Sequence, residues 1–75
     1  MGQVLALQRN EEAEVWVTLA QFCSELAPLL DGHRPSERWA RYRMAEGLPS
    51  KKFLGRRMVP RDRGIGWLRQ RGFIP

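Results

Sequence analysis

The spacing of hydrophobic positions changes character several times along this chain. Glu14-Val15-Trp16-Val17 is a short β-prone run. From there the apolar residues recur as Leu19, Phe22, Cys23 and Leu26, which is the spacing of one helical face. Thr18 stands just before this stripe, where its hydroxyl can accept from a free first-turn amide, and Gln21 follows three residues later as a capping box requires. Pro28 has no N–H to donate, so the first helix is expected to end close to Ala27. Leu29 to Arg34 read as a connection turning at Asp31-Gly32.

A second helix is predicted from Pro35 or Ser36 through Ala45. Proline suits a first helical turn, and Glu37 complements the positive end of the helix dipole. Gly47 supplies the stop and Pro49 prevents resumption. Its apolar seam is narrow, Ala40 and Met44 at i and i+4, while Arg38, Arg41, Tyr42 and Arg43 cover much of the rest. Pro49 to Pro60 read as a hairpin, with Phe53-Leu54 and Met58-Val59 as strand residues and Gly55 near the turn. A third helix is expected over 61–71, packing through Ile65, Trp67 and Leu68. Gly64 and Gly66 should weaken it by about 1 kcal/mol each relative to alanine. Phe73 and Ile74 are expected to close the core.

Seventy-five residues make one small domain, with little left over for a separate catalytic pocket. The charge is unevenly placed: residues 1–33 carry a net −4 and residues 34–75 a net +9. Such asymmetry attracts a polyanion and orients the protein as it arrives. Two units are expected, a lead-in over 1–14 and a folded domain over 15–75. In the lead-in, Val4, Leu5 and Leu7 offer a strand or a dimer contact, whereas Glu11, Glu12 and Glu14 suggest solvent.

Other chemistry is weakly represented. Cys23 is the only cysteine, lies on the apolar stripe, and is expected to act as a small hydrophobe in a reducing, intracellular setting. His33 is the only histidine and has no clustered partners in sequence. No apolar run approaches the roughly 20 residues of a membrane helix. The first residues lack a charged-then-apolar signal layout, and Ala6 stands where a myristoylation motif after Gly2 wants Ser or Thr. Neither Gly55-Arg56-Arg57 nor Gly64-Ile65-Gly66 makes a phosphate-cradling loop. No enzyme, cofactor, metal, membrane or small-molecule substrate is expected.

Val17-Thr18-Leu19-Ala20-Gln21-Phe22, Trp39 to Glu46, Gly47-Leu48-Pro49, Gly55-Arg56-Arg57-Met58-Val59-Pro60 and Trp67-Leu68 follow one another as helix, basic helix, junction, basic hairpin and closing helix. In this order the chain resembles the winged helix-turn-helix proteins related to MerR regulators and phage excisionases, over roughly residues 15–71. The resemblance implies an α+β fold of two to three helices plus a β-hairpin wing. It departs from the pattern in a longer connection between the first two helices and in the glycines of the closing helix. It further implies a recombination directionality factor: a cytoplasmic, nucleoid-associated protein of bacterial or phage origin. Such a protein binds repeated duplex sites, self-associates along them, and bends DNA so that a partner integrase excises a mobile element or prophage. The same module serves small transcription regulators and terminase small subunits.

On that resemblance the second helix is a recognition helix for the major groove, with Ser36, Arg38, Trp39, Arg41, Tyr42 and Arg43 as candidate contacts. For Trp39, core packing is an equal reading, and Arg43 has two other options, folding over the wing or pairing with Glu46. Lys51, Lys52, Arg56 and Arg57 are the candidate wing contacts to backbone or minor groove. Arg34, Arg61 and Arg63, with Arg69 and Arg71, are weaker backbone candidates. A reading of another class is a protein-interaction adaptor that docks an acidic partner on its basic face, with Trp16, Trp67, Phe73 and Ile74 as an apolar patch.

Overall fold

The computed structural model describes residues 14–75, so the strand or dimer contact expected of Val4, Leu5 and Leu7 lies outside the described residues. The β-prone run forms β1, Trp16–Thr18, and Thr18 ends the strand as it caps α1, Leu19–Leu26. Its hydroxyl accepts from the Gln21 amide at 3.1 Å. The capping box is only half made, because the Gln21 side chain turns along the helix and donates to Glu25 at 2.9 Å. Leu19, Phe22, Cys23 and Leu26 are all buried, as their spacing predicts.

Pro28 does not end helical structure outright. It sits in the first turn of a 3₁₀ segment, Ala27–Leu30, where a missing N–H costs nothing, and Asp31 closes the segment in the left-handed region. Leu29 and Leu30 therefore pack against the core instead of lying wholly in a loop. The second helix, α2, runs Glu37–Glu46 with Ser36 as its cap. Gly47 takes φ +123°, and the Leu48 amide donates back to the Arg43 carbonyl at 3.0 Å. This stop turns Leu48 into the core.

The hairpin is β2, Lys51–Phe53, and β3, Arg56–Pro60, joined by Leu54 and Gly55. Leu54 is thus a turn residue and not a strand residue. β3 lies centrally in a three-stranded antiparallel sheet of order β1-β3-β2, with Val17 opposite Val59 and Lys52 opposite Arg57. The final helix, α3, is Arg61–Gln70. The expected weakness at Gly64 has a packing cause: a Cβ there would stand 2.9 Å from the Phe22 ring and from Val59 Cγ1. Beyond α3 the Phe73 amide donates to the Leu68 carbonyl at 2.9 Å, and Ile74 is buried. Among the described residues, three helices and a three-stranded sheet around one core make a small α+β domain of winged-helix form.

Candidate nucleic-acid interface

The helical period of α2 divides its residues into two sides. Ala40 is fully buried, and Trp39 and Met44 pack against the core. Arg38, Arg41, Tyr42 and Ala45 share the opposite, exposed side. Tyr42 is 55% exposed, and the Arg38 guanidinium carbon lies 5.9 Å from its ring centroid. Arg41 approaches Glu37 at 3.6 Å, but both are well exposed and such i,i+4 pairs hold little.

Trp39 and Arg43 stand apart from this face. Trp39 meets Phe73 edge-on, with ring centroids 5.8 Å apart. The Arg43 guanidinium lies 4.5 Å from the Phe73 ring and 5.2 Å from Trp39, its side chain is 17% exposed, and it pairs with Glu46 at 3.2 Å. Its buried Nε has no hydrogen-bond partner among the described residues. Arg43 thus pairs with Glu46 and covers aromatic rings, and of the two packing options it takes this one and does not fold over the wing. Ser36 is exposed, yet its hydroxyl oxygen is engaged by the Trp39 amide at 3.1 Å. What orients it is the cap.

The wing cations are differently placed. Lys51, Lys52, Arg56 and Arg57 are all exposed and, among the described residues, make no ion pair or side-chain hydrogen bond. Arg57 and Arg41 line one groove between α2 and the hairpin, together with Met44, Ala45 and Ser50. A neighbouring groove is lined by Arg41, Arg56, Arg57 and Glu37 with the first residues of α1. Arg41 therefore borders both. Ala45 and Ser50 have no charge to mark them in the sequence; Ala45 is legible only from helical phase, as a neighbour of Arg41 and Tyr42.

The weaker candidates are committed elsewhere. Arg34 donates to the Ser24 hydroxyl at 2.9 Å and to the Ala20 carbonyl at 3.0 Å, strapping the connection onto α1. Arg61 lies within ion-pair reach of Glu25 and Asp62. Arg63 makes a two-pronged bond to Glu14 that raises its guanidinium pKa, and it lies over Trp16. Arg69 donates to the Pro75 carbonyl at 2.6 Å, and Arg71 lies 4.5 Å over Trp67. Charge on α3 is thus largely compensated or stacked, whereas charge on the wing has no partner among the described residues.

The apolar patch envisaged for a protein partner is not assembled. Ile74 is buried, and Trp67 and Phe73 stack on each other and pack against the core. Among the described residues the exposed large apolar side chains are Val15, Tyr42, Phe53 and Leu54 instead. Cys23 is buried, and its thiol faces the Ser36 carbonyl at 3.6 Å. Burial pushes the thiol pKa up, with Glu37 adding to the rise and Arg34 and Arg41 opposing it. Among the described residues no three His, Cys, Asp or Glu side chains converge on a metal-sized site, and no helix is long and apolar enough to cross a membrane. Compared with family models, curated proteins and solved structures, the chain matches none.

Proposed function

We propose that this chain binds duplex DNA through α2 and the wing, and that it acts as a DNA-bending architectural factor of the excisionase kind. The observation that carries the reading is that Arg41 of α2 and Arg57 of the wing line one and the same groove, with wing cations that have no partner among the described residues continuing from it. A helix presenting Arg38, Arg41 and Tyr42 outward suits the major groove, where an arginine fork can grip the two acceptors of guanine. Phosphate contacts from Lys51, Lys52, Arg56 and Arg57 position such a helix without reading sequence. Engaging two adjacent grooves favours a bent duplex. The partners on this reading are double-stranded DNA, a second copy along the site, and a site-specific integrase. The location is the cytoplasm, on the nucleoid.

Gel shift and footprinting on the DNA around its own gene test the proposal. Four phosphate contacts give a slope of log affinity against log salt of about −3.6. Adjacent protected repeats beside a recombination site support the excisionase role, and a single inverted repeat at a promoter supports a transcription regulator. Duplex binding that is absent, or indifferent to salt, overturns both.

A further inference from the structure

The hairpin turns through two residues, Leu54 and Gly55, closed by the Phe53–Arg56 pair. Both take positive φ, +51° and +80°, as a type I′ turn requires. Glycine accepts that conformation freely, and asparagine or aspartate would fit at the first position. Leucine is disfavoured there, because its Cβ crowds the backbone in the left-handed region. Nor does the side chain repay the fold by packing: Leu54 is 90% exposed and lies outside the core cluster, and its neighbour Phe53 is 57% exposed. A single exposed leucine is ordinary. One held at a strained turn position, at the extremity of an arm with four exposed cations, is a residue whose purpose lies outside the fold.

We propose that Leu54 is a wedge that enters the minor groove of duplex DNA and pushes between two stacked base pairs, kinking the helix. This rests on the DNA-binding reading above and adds to it the residue that drives the bend. Strand alternation places Lys52 opposite Arg57 on one face of the ribbon, and Lys51 with Phe53 and Arg56 on the other. Cations therefore leave both faces of a narrow two-stranded arm with an apolar point. That geometry fits a groove with a phosphate strand on either side, where apolar side chains unstack a base step while basic residues hold the backbones. A flat anionic membrane would instead favour cations on one plane around a broader apolar surface.

The test uses the full chain with duplexes spanning its footprint, carrying 2-aminopurine at successive steps, and with end-labelled duplexes whose energy transfer reports bending. Wild-type protein should brighten 2-aminopurine at one step under the wing and shorten the end-to-end distance. Leu54→Asn, which suits a type I′ turn, should melt at a temperature equal to or higher than wild type and still bind. It should lose the local brightening, and its bend should relax toward that of free DNA. Leu54→Met should retain both signals. Bound wild-type protein that brightens no step overturns the wedge, as does Leu54→Asn bending DNA as fully as wild type. In either case the DNA-binding reading stands. Failure of wild type to bind duplex overturns both. Leu54-dependent cosedimentation with phosphatidylserine vesicles, without Leu54-dependent unstacking, assigns the tip to a lipid surface and overturns the wedge.

Discussion

Gly64 of α3 and the Phe22 ring of α1 meet with no room for a methyl group between them: a Cβ on Gly64 would lie 2.9 Å from Phe22 Cε1 and Cζ. Phe22 is fully buried and Val59, equally close on another side, is too, so neither can withdraw cheaply. Gly64→Ala gains about 1 kcal/mol of helix preference but overpacks a tight contact at a cost of about 1–3 kcal/mol. Net destabilisation is expected. Gly66, two residues on, has nothing within 4 Å of its would-be Cβ. Gly66→Ala should therefore stabilise by about 0.5–1 kcal/mol. Urea unfolding of the two variants checks the opposite signs, and a stabilised Gly64→Ala would contradict the packing described.

That pair also marks where the sequence stops being legible. Helical spacing identifies the buried stripe of α1, and the Thr18 cap is legible beside it, because periodicity and capping are local; Ser36 reads as a groove contact, and its capping role emerges only from the structure. The same spacing put Arg38, Arg41 and Tyr42 outside α2. Gly64 reads as a propensity defect until α3 is seen lying on Phe22, which no local pattern announces. The pairing of Arg43 with Glu46 is one of the options its sequence position offers, but only the return of Phe73 from the far end of the chain explains why it is mostly covered. The pairing of β1 with β3, and of Glu14 with Arg63, are long-range facts of the same kind. The clustered charge of the wing is legible because Lys51, Lys52, Arg56 and Arg57 fall in one short segment with no acidic residue between them.

Ser36 allows capping and DNA contact to be separated. Its oxygen accepts from the Trp39 amide at the start of α2. Ser36→Ala should cost about 1 kcal/mol of stability through the lost cap. Ser36→Asp keeps an accepting oxygen and a favourable charge at the helix N-terminus, so stability should hold or rise. The same carboxylate faces any approaching phosphate, so duplex affinity should fall. Denaturant curves beside gel shifts read the two quantities; Ser36→Asp binding duplex as tightly as wild type would remove Ser36 from the interface.

Arg41 and the wing arginines should fail differently. Arg41→Ala is expected to blunt discrimination between specific and altered sites, at about 1–3 kcal/mol if it grips a guanine. Arg56→Ala/Arg57→Ala should weaken every sequence alike and flatten the salt slope by about 2, from two lost phosphate contacts. Arg63→Ala should leave the slope unchanged, since its charge is already met by Glu14. Salt titrations on matched and scrambled duplexes distinguish the three. Unaltered binding by the first two variants would dismantle the interface.

Cys23 supplies a prediction about pH whose sign follows from burial. Desolvation, the largest influence, raises its pKa, Glu37 adds to the rise, and Arg34 and Arg41 only partly oppose it. The folded state thus favours the neutral thiol more than the unfolded chain does. The stability this contributes is fully present below an ordinary thiol pKa and is lost as pH climbs through the raised folded value. Wild type should accordingly lose stability more steeply than Cys23→Ala in the alkaline range above an ordinary thiol. Around neutral pH the thiol should resist a disulfide reagent and become reactive only as urea unfolds the chain, because both thiolate and access are lacking in the fold. Rapid labelling of folded protein at neutral pH would mean that α1 and the start of α2 open readily around Cys23, against the tight seam between Cys23 and the Ser36 carbonyl.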